Sequence, residues 1–317
     1  MSALANFKEP LAIVTVFTIG TLINRRRRSN GSISEKDVET ALDTPTLPRL
    51  TSKLGSRNLP SAILAQFPFL VEVWYWQLTY WIYQGLRALS ARKIAGNDAI
   101  FQTAVHHAQQ LLTLEKSLGI DVELPLQRLI LHHAPWLMTA LSRVYFSHIV
   151  LGLIFLVYSY TVLPRHTFSA IRRTLALENV LAFLVLTVWR CAPPRLMPHP
   201  QYGYRDIVHE SSGNTAWTEN KFRLVIAAMP SLHFANSLFL GWCLARFSPH
   251  AALRVLGPLW PVTMWITVVA TANHWVLDTV AGVGVLVVAY RWNRVLLGLL
   301  PLEEFVLGVL RLEKPGA

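Results

Sequence analysis

The sequence predicts an all-α, polytopic membrane protein: a transmembrane helix bundle with a six-helix core and amphipathic helices at the interface. Three observations carry this expectation. Of 317 residues, 53% are hydrophobic and only 15% charged, with a mean hydropathy of +0.37; ordinary soluble domains carry ~25% charged residues. The apolar residues come in blocks, at 175–193, 230–244, 256–271 and 275–290, close to the ~17–20 residues that cross a bilayer. Eleven Trp and nine Tyr suit the aromatic belts of membrane interfaces.

The elements follow in chain order. Residues 11–23 are apolar and are followed by the arginines at 25–28. A cleaved signal peptide has its positive charge ahead of the apolar stretch, so this reads as a short anchor with cytoplasmic arginines. Residues 30–60, rich in Ser, Thr, Asp and Pro, bury too little to fold and read as a flexible linker. The region 1–60 is thus an anchor plus linker. Within 61–135, a first span at roughly 62–88 carries Glu72 and Gln77, and 99–134 alternates leucines with charged positions. That periodicity predicts amphipathic helices on the interface. The membrane core, 136–294, holds spans at roughly 136–163, 174–194, 230–247, 256–272 and 275–293. The tail, 295–317, begins with an apolar stretch expected to lie at the interface.

A net charge of +11 would point to nucleic acid in a soluble protein. Here the cations sit between spans: Arg165, Arg172 and Arg173 in one connection, Arg246 and Arg254 in another, Arg291 and Arg294 beyond the last span. Such connections face the cytoplasm. The 196–229 loop then lies on the lumenal or extracellular side, and the expected partner is the bilayer, not nucleic acid. Cys191 and Cys243 read as buried thiols, without a CxxC metal motif.

Three histidines, His148, His233 and His274, fall in or beside the strong apolar spans, where ionisable groups are costly and point to function. For a lone His148 the expected role is a hydrogen bond within the bundle. His274 and Asp278 lie four apart in "TANHWVLDTVAG". On one helix they share a face, where the carboxylate could take one imidazole proton and leave the other nitrogen as a nucleophile or base. "AAMPSLHFANS" places Pro230, Ser231 and His233 where a span begins, and free N–H groups there attract anions. In "WRCAPPRLMP" two prolines end a span beside Arg195, whose fork suits phosphate. By the alternation of spans, all three pieces reach the same membrane face.

"APPR", "AAMPSLH" and "TANHWVLDTVAG", in this order and spacing, resemble the type 2 phosphatidic acid phosphatase superfamily, above all its inositolphosphotransferase-like branch, which includes the inositol phosphorylceramide synthases. The run "AQQLLTLEKSLGIDVELPLQRLILHH" resembles that branch's lead-in to its membrane core, and the likeness covers about residues 104–292. The resemblance implies a two-step, metal-independent phosphoryl transfer without a cofactor. His274 would form a phosphohistidine, Asp278 would orient it, and His233 would protonate the leaving alcohol. Ser231, backbone amides near it and Arg195 would hold the phosphoryl oxygens. Two positions depart from the phosphatase pattern: Val188 stands where it has a lysine and Val268 where it has an arginine. Arg190, Lys221 or Arg223 are the candidate substitutes.

The expected function is therefore a phosphatase or phosphotransferase acting on a lipid-linked phosphate at the non-cytoplasmic face of an endomembrane. The alternatives are a membrane scaffold or transporter retaining the fold, and a vanadium-dependent haloperoxidase.

Overall fold

The computed structural model describes residues 8–26, 58–94, 97–198, 200–208 and 226–314. Every regular element among them is helical, apart from one isolated parallel bridge between Cys191 and Ala227. The chain-order helices are α1 (Lys8–Ile23), α2 (Leu59–Gln66), α3 (Leu70–Ile94), α4 (Asp98–Leu118), α5 (Glu123–His133), α6 (Pro135–Val162) and α7 (Arg165–Val188). They continue with α8 (Leu232–Phe247), α9 (Ala251–Leu256), α10 (Leu259–Ala270), α11 (Val276–Trp292) and α12 (Leu300–Val309). The expected linker lies almost wholly outside the described residues.

Length and apolar composition single out three stretches as able to cross a membrane: Pro135–Val162, Ala251–Ala270 and Val276–Val309. α3 and α7 are long enough, at 25 and 24 residues, but carry polar side chains. Glu72, Gln84 and Arg87 of α3 and Arg172, Arg173 and Asn179 of α7 line a cavity between helices, so their polarity faces inward. Large apolar side chains such as Leu184, Val280 and Val287 stay exposed on the outer surface, as a bilayer-facing wall requires. The first expected span is broken. Pro68 lacks an N–H and disfavours helix in the residue before it, so α2 stops at Gln66 and α3 starts at Leu70.

One face of α4 and part of α5 pack against protein, while Leu114, Leu118 and Leu129 stay exposed. Ala104, Val105, Ala108, Leu111 and Leu112 of α4 pack on Cys191, Ala192, Ile226, Ala228 and Trp275, closing one end of the bundle. α4 starts with Asn97 accepting the Ile100 N–H and stops at Gly119, whose φ of 67° suits glycine.

α11 packs against α7 and α8, and α8 against α10. The C-terminal ends of α7 and α10 and the N-terminal ends of α8 and α11 meet at the end covered by α4. Gly282 permits the closest approach: a Cβ there would lie 2.7 Å from the Ser231 carbonyl oxygen. Gly282→Ala is therefore expected to cost about 1–3 kcal/mol, read as a lower melting temperature in detergent. Gly284→Ala, with nothing within 4 Å, is expected to be neutral or to stabilise by up to about 1 kcal/mol.

Candidate active site

Short backbone hydrogen bonds assemble the site. Ala228 N–H donates to the Cys191 carbonyl at 3.0 Å, Arg195 N–H to Ala272 O at 3.0 Å, and Ser231 N–H to Asp278 O at 3.0 Å. The turn after α10 brings the Asn273 and His274 N–H groups onto Val268 O at 3.0 and 3.2 Å. Ala272 within it has φ 55°, a left-handed conformation costing ~1–2 kcal/mol for a residue with a Cβ. Its carbonyl is the one that accepts the Arg195 N–H.

His274 precedes α11 instead of lying on it. Trp275 is the N-cap and Asp278 the third helical residue, its Oδ2 accepting the Trp275 N–H at 2.9 Å. The four-residue spacing thus works through a cap and not through a shared helical face. His274 Nδ1 lies 2.7 Å from the Ala228 carbonyl oxygen and 3.6 Å from Asp278 Oδ2. A carbonyl can only accept, so Nδ1 carries the proton and the carbonyl sets the tautomer. Asp278, fully buried, adds negative charge just beyond hydrogen-bond reach. Nε2 is left with its lone pair, 3.4 Å from His233 Nδ1.

His233 lies in the first turn of α8, capped by Ser231. Its ring stacks on Tyr145 at 4.3 Å between centroids and meets His148 at 4.2 Å. His148 Nδ1 is 2.7 Å from the Tyr145 carbonyl oxygen. All three histidines, with Asn273 and Arg195, line one end of a cavity of about 960 Å³ whose walls are mostly apolar. Arg195 Nε donates to Asn273 Oδ1 at 3.0 Å and lies 3.8 Å from Asp206 Oδ1.

The expected site residues are therefore placed as follows. His233, His274 and Arg195 share the cavity, with Asp278 directly behind His274. Ser231 is fully buried, its hydroxyl oxygen accepting the Phe234 N–H at 3.4 Å. Arg190 is not among the cavity-lining side chains, and its carbonyl meets His107 Nδ1 at 2.7 Å. Lys221 and Arg223 lie outside the described residues. Reading by sequence missed the Ala228 carbonyl, Asn273 and Tyr145; His148 makes the hydrogen bond within the bundle expected of it, to the Tyr145 carbonyl, and also lines the cavity. An ionisable side chain within an apolar span was the available signal for His148.

Two buried glutamates complete the surroundings. Glu123 Oε1 accepts the Val276 N–H at 2.8 Å and Glu115 Oε1 the Leu277 N–H at 2.7 Å. Carboxyls thus close the N-terminus of α11, satisfying donors that a helix leaves open. Their Oε2 atoms have no hydrogen-bond partner among the described residues. Burial, then the charge of Glu123, pushes Glu115 up to about 9, and burial raises Glu123 as well. By contrast, the N-terminus of α8 borders the cavity at Pro230, Leu232 and His233. Of the two helix N-termini, that one is left for an anion.

Among the described residues, no group of three or more His, Cys, Asp or Glu could hold a metal ion. A family model described as the PAP2 superfamily matches residues 109–292, more than half of the chain. Comparison with curated proteins and with solved structures gave no match.

The raised Glu115 carboxyl has a sign that can be tested. It binds a proton in the fold at pH values where the unfolded chain has lost it. Its contribution to stability is full below about 4.5 and is lost as pH rises towards about 9. Glu115→Gln mimics the protonated carboxyl and is expected to flatten that fall in melting temperature. Glu115→Ala strands the Leu277 N–H and is expected to cost about 1–3 kcal/mol at all pH values. Thermal melts from pH 5 to 9 check both.

Proposed function

The chain belongs to the PAP2 superfamily, and from that premise we propose that it is a membrane phosphatase or phosphotransferase acting on a lipid-linked phosphate through a phosphohistidine on His274. The observation that carries this reading is the His274 imidazole. Its Nδ1 is committed to the Ala228 carbonyl, and its Nε2 faces the cavity and His233.

The residues support two balanced steps. His274 Nε2 attacks phosphorus as the phosphorus–oxygen bond to the leaving alcohol breaks. A bound phosphate anion favours the doubly protonated form of His233, which gives a proton to the leaving oxygen. In the resting site His274 Nε2 and His233 Nδ1 lie 3.4 Å apart, so substrate entry separates them. Water or an alcohol then attacks the phosphohistidine, His233 takes its proton, and His274 is restored. The Asp278 charge stabilises the imidazolium character that His274 gains on attack, while Arg195 and the α8 amides hold the phosphoryl oxygens.

The cavity supports a lipid-linked substrate. Beyond the histidines it is walled by side chains such as Leu153, Leu156, Leu186, Leu240 and Trp260, which suit an acyl or isoprenyl chain. Six of the helices, α3, α6, α7, α8, α10 and α11, form the proposed membrane core. Arg165, Arg172, Arg246, Arg254, Arg291 and Arg294 lie towards the helix ends remote from the histidines, which supports a site on the non-cytoplasmic side of an endomembrane. The same phosphohistidine serves transfer to an alcohol and hydrolysis alike.

Phosphate release or transfer from lipid phosphates by detergent-solubilised protein, with EDTA present, tests this. Activity is expected to persist with the chelator and to be blocked by vanadate. His274→Ala is expected to abolish turnover while the protein stays folded, at a cost of about 1–3 kcal/mol for the stranded Ala228 carbonyl. Asp278→Asn is expected to lose about 10²–10³-fold in rate. That is less than the ~10⁴-fold seen when a triad aspartate becomes an amide, because the Ala228 carbonyl still holds the tautomer. Normal turnover by His274→Ala would sink the mechanism.

A further inference from the structure

The two positions where superfamily phosphatases carry extra phosphate-binding cations cannot supply one here. Val188 is 84% exposed on the outer surface, and Val268 is fully buried among Met264 and Val269. Arg195, the arginine at the histidines, is engaged with Asn273 and Asp206. The cavity nevertheless contains a second arginine near the histidines. Arg87, on α3, lines the same cavity and lies within electrostatic reach of the His233 ring.

The pairing of α3 with α7 fixes its level. Glu72 bonds Arg172 at 2.7 Å, and the Tyr83 ring meets Phe183 at 6.3 Å. The two helices therefore run side by side in one direction with an offset of about one hundred residues, which sets Arg87 level with Val188 in the last turn of α7. Its contacts are weak: Gln84 Oε1 at 3.4 Å and the Tyr83 ring at 5.7 Å. No carboxylate among the described residues lies within ion-pair distance of it, whereas Arg172 at the far end of the cavity has Glu72. Arg87 is half-buried at the cavity wall, and its fork fits phosphate oxygens.

We propose that Arg87, oriented by Gln84, is a phosphate-binding residue that meets the substrate's phosphoryl oxygens from α3 and takes the place of the cations lost at Val188 and Val268. The proposal rests on the phosphatase reading above for the nature of the anion. α3 lies outside the stretch matched by the family model, so the cation enters the site from a different part of the chain.

The test uses the full-length protein in detergent with inorganic orthovanadate as the probe, binding read by calorimetry and, separately, by inhibition of turnover. Arg87→Gln is expected to weaken vanadate binding about 10- to 100-fold, the range for a charge-assisted hydrogen-bonded pair, and to raise KM similarly. Arg87→Lys keeps the charge but not the fork and is expected to lose less, about 3- to 10-fold. Arg92→Gln, on the same helix but away from the cavity, is expected to change neither. Should Arg87→Gln melt too early, Arg87→Lys decides. Equal vanadate affinity and KM in wild type and the Arg87 variants overturns the proposal, while turnover that still depends on His274 leaves the phosphatase reading standing. Weakened vanadate binding with no turnover of any lipid phosphate supports Arg87 and overturns the reaction. No binding to the wild type overturns both.

Discussion

The 2.7 Å contact between His274 Nδ1 and the Ala228 carbonyl oxygen is the interaction on which the site depends. It decides which imidazole nitrogen holds the proton, and it can do so only if residue 228 is itself fixed. That fixing comes from the backbone bond of Ala228 to Cys191, which ties the entry to α8 to the exit from α7. The Ser231–Asp278 and Arg195–Ala272 bonds close the lattice from the other sides. The chemical group is therefore positioned by peptide groups, which have no rotamers to lose, and the side chains add charge.

Charge is distributed with a corresponding asymmetry. Two helix N-termini point to the same end of the bundle, and each carries a partial positive charge. Glu115, Glu123 and Asp278 close one of them. The other, at Ser231–His233, borders open space. An arriving anion thus finds one open electropositive terminus, the one that carries His233 in its first turn.

Much of this was legible in the sequence, and the gaps have physical causes. The apolar blocks and their turn residues announced helices, and "AAMPSLH" with "TANHWVLDTVAG" announced histidines at helix starts. The shared helical face expected of His274 and Asp278 is not found, because an i,i+4 spacing looks the same whether the first residue is on the helix or just before it. Only the Trp275 cap distinguishes the two. The Ala228 carbonyl was invisible because every residue has one. Glu115 and Glu123 looked like ordinary solvent-facing charges of amphipathic helices, since the pattern shows a polar face but not what covers it. α3 looked like a plain span because Glu72, Gln84 and Arg87 dilute its hydropathy without disclosing that they share a cavity.

Remote from the histidines, that cavity turns polar. Arg172 and Glu72 bond at 2.7 Å, and Tyr75 joins Glu303 of α12 at 2.5 Å, so hydrophilic groups cross the path that an alkyl chain would follow away from the histidines. From Arg172 to Leu186 on α7 is fourteen residues, or ~21 Å at ~1.5 Å per residue. On the proposed reading, that length is the straight run open to a substrate's tail between the histidines and the ion pair, which makes the Arg172–Glu72 level a gauge of chain length.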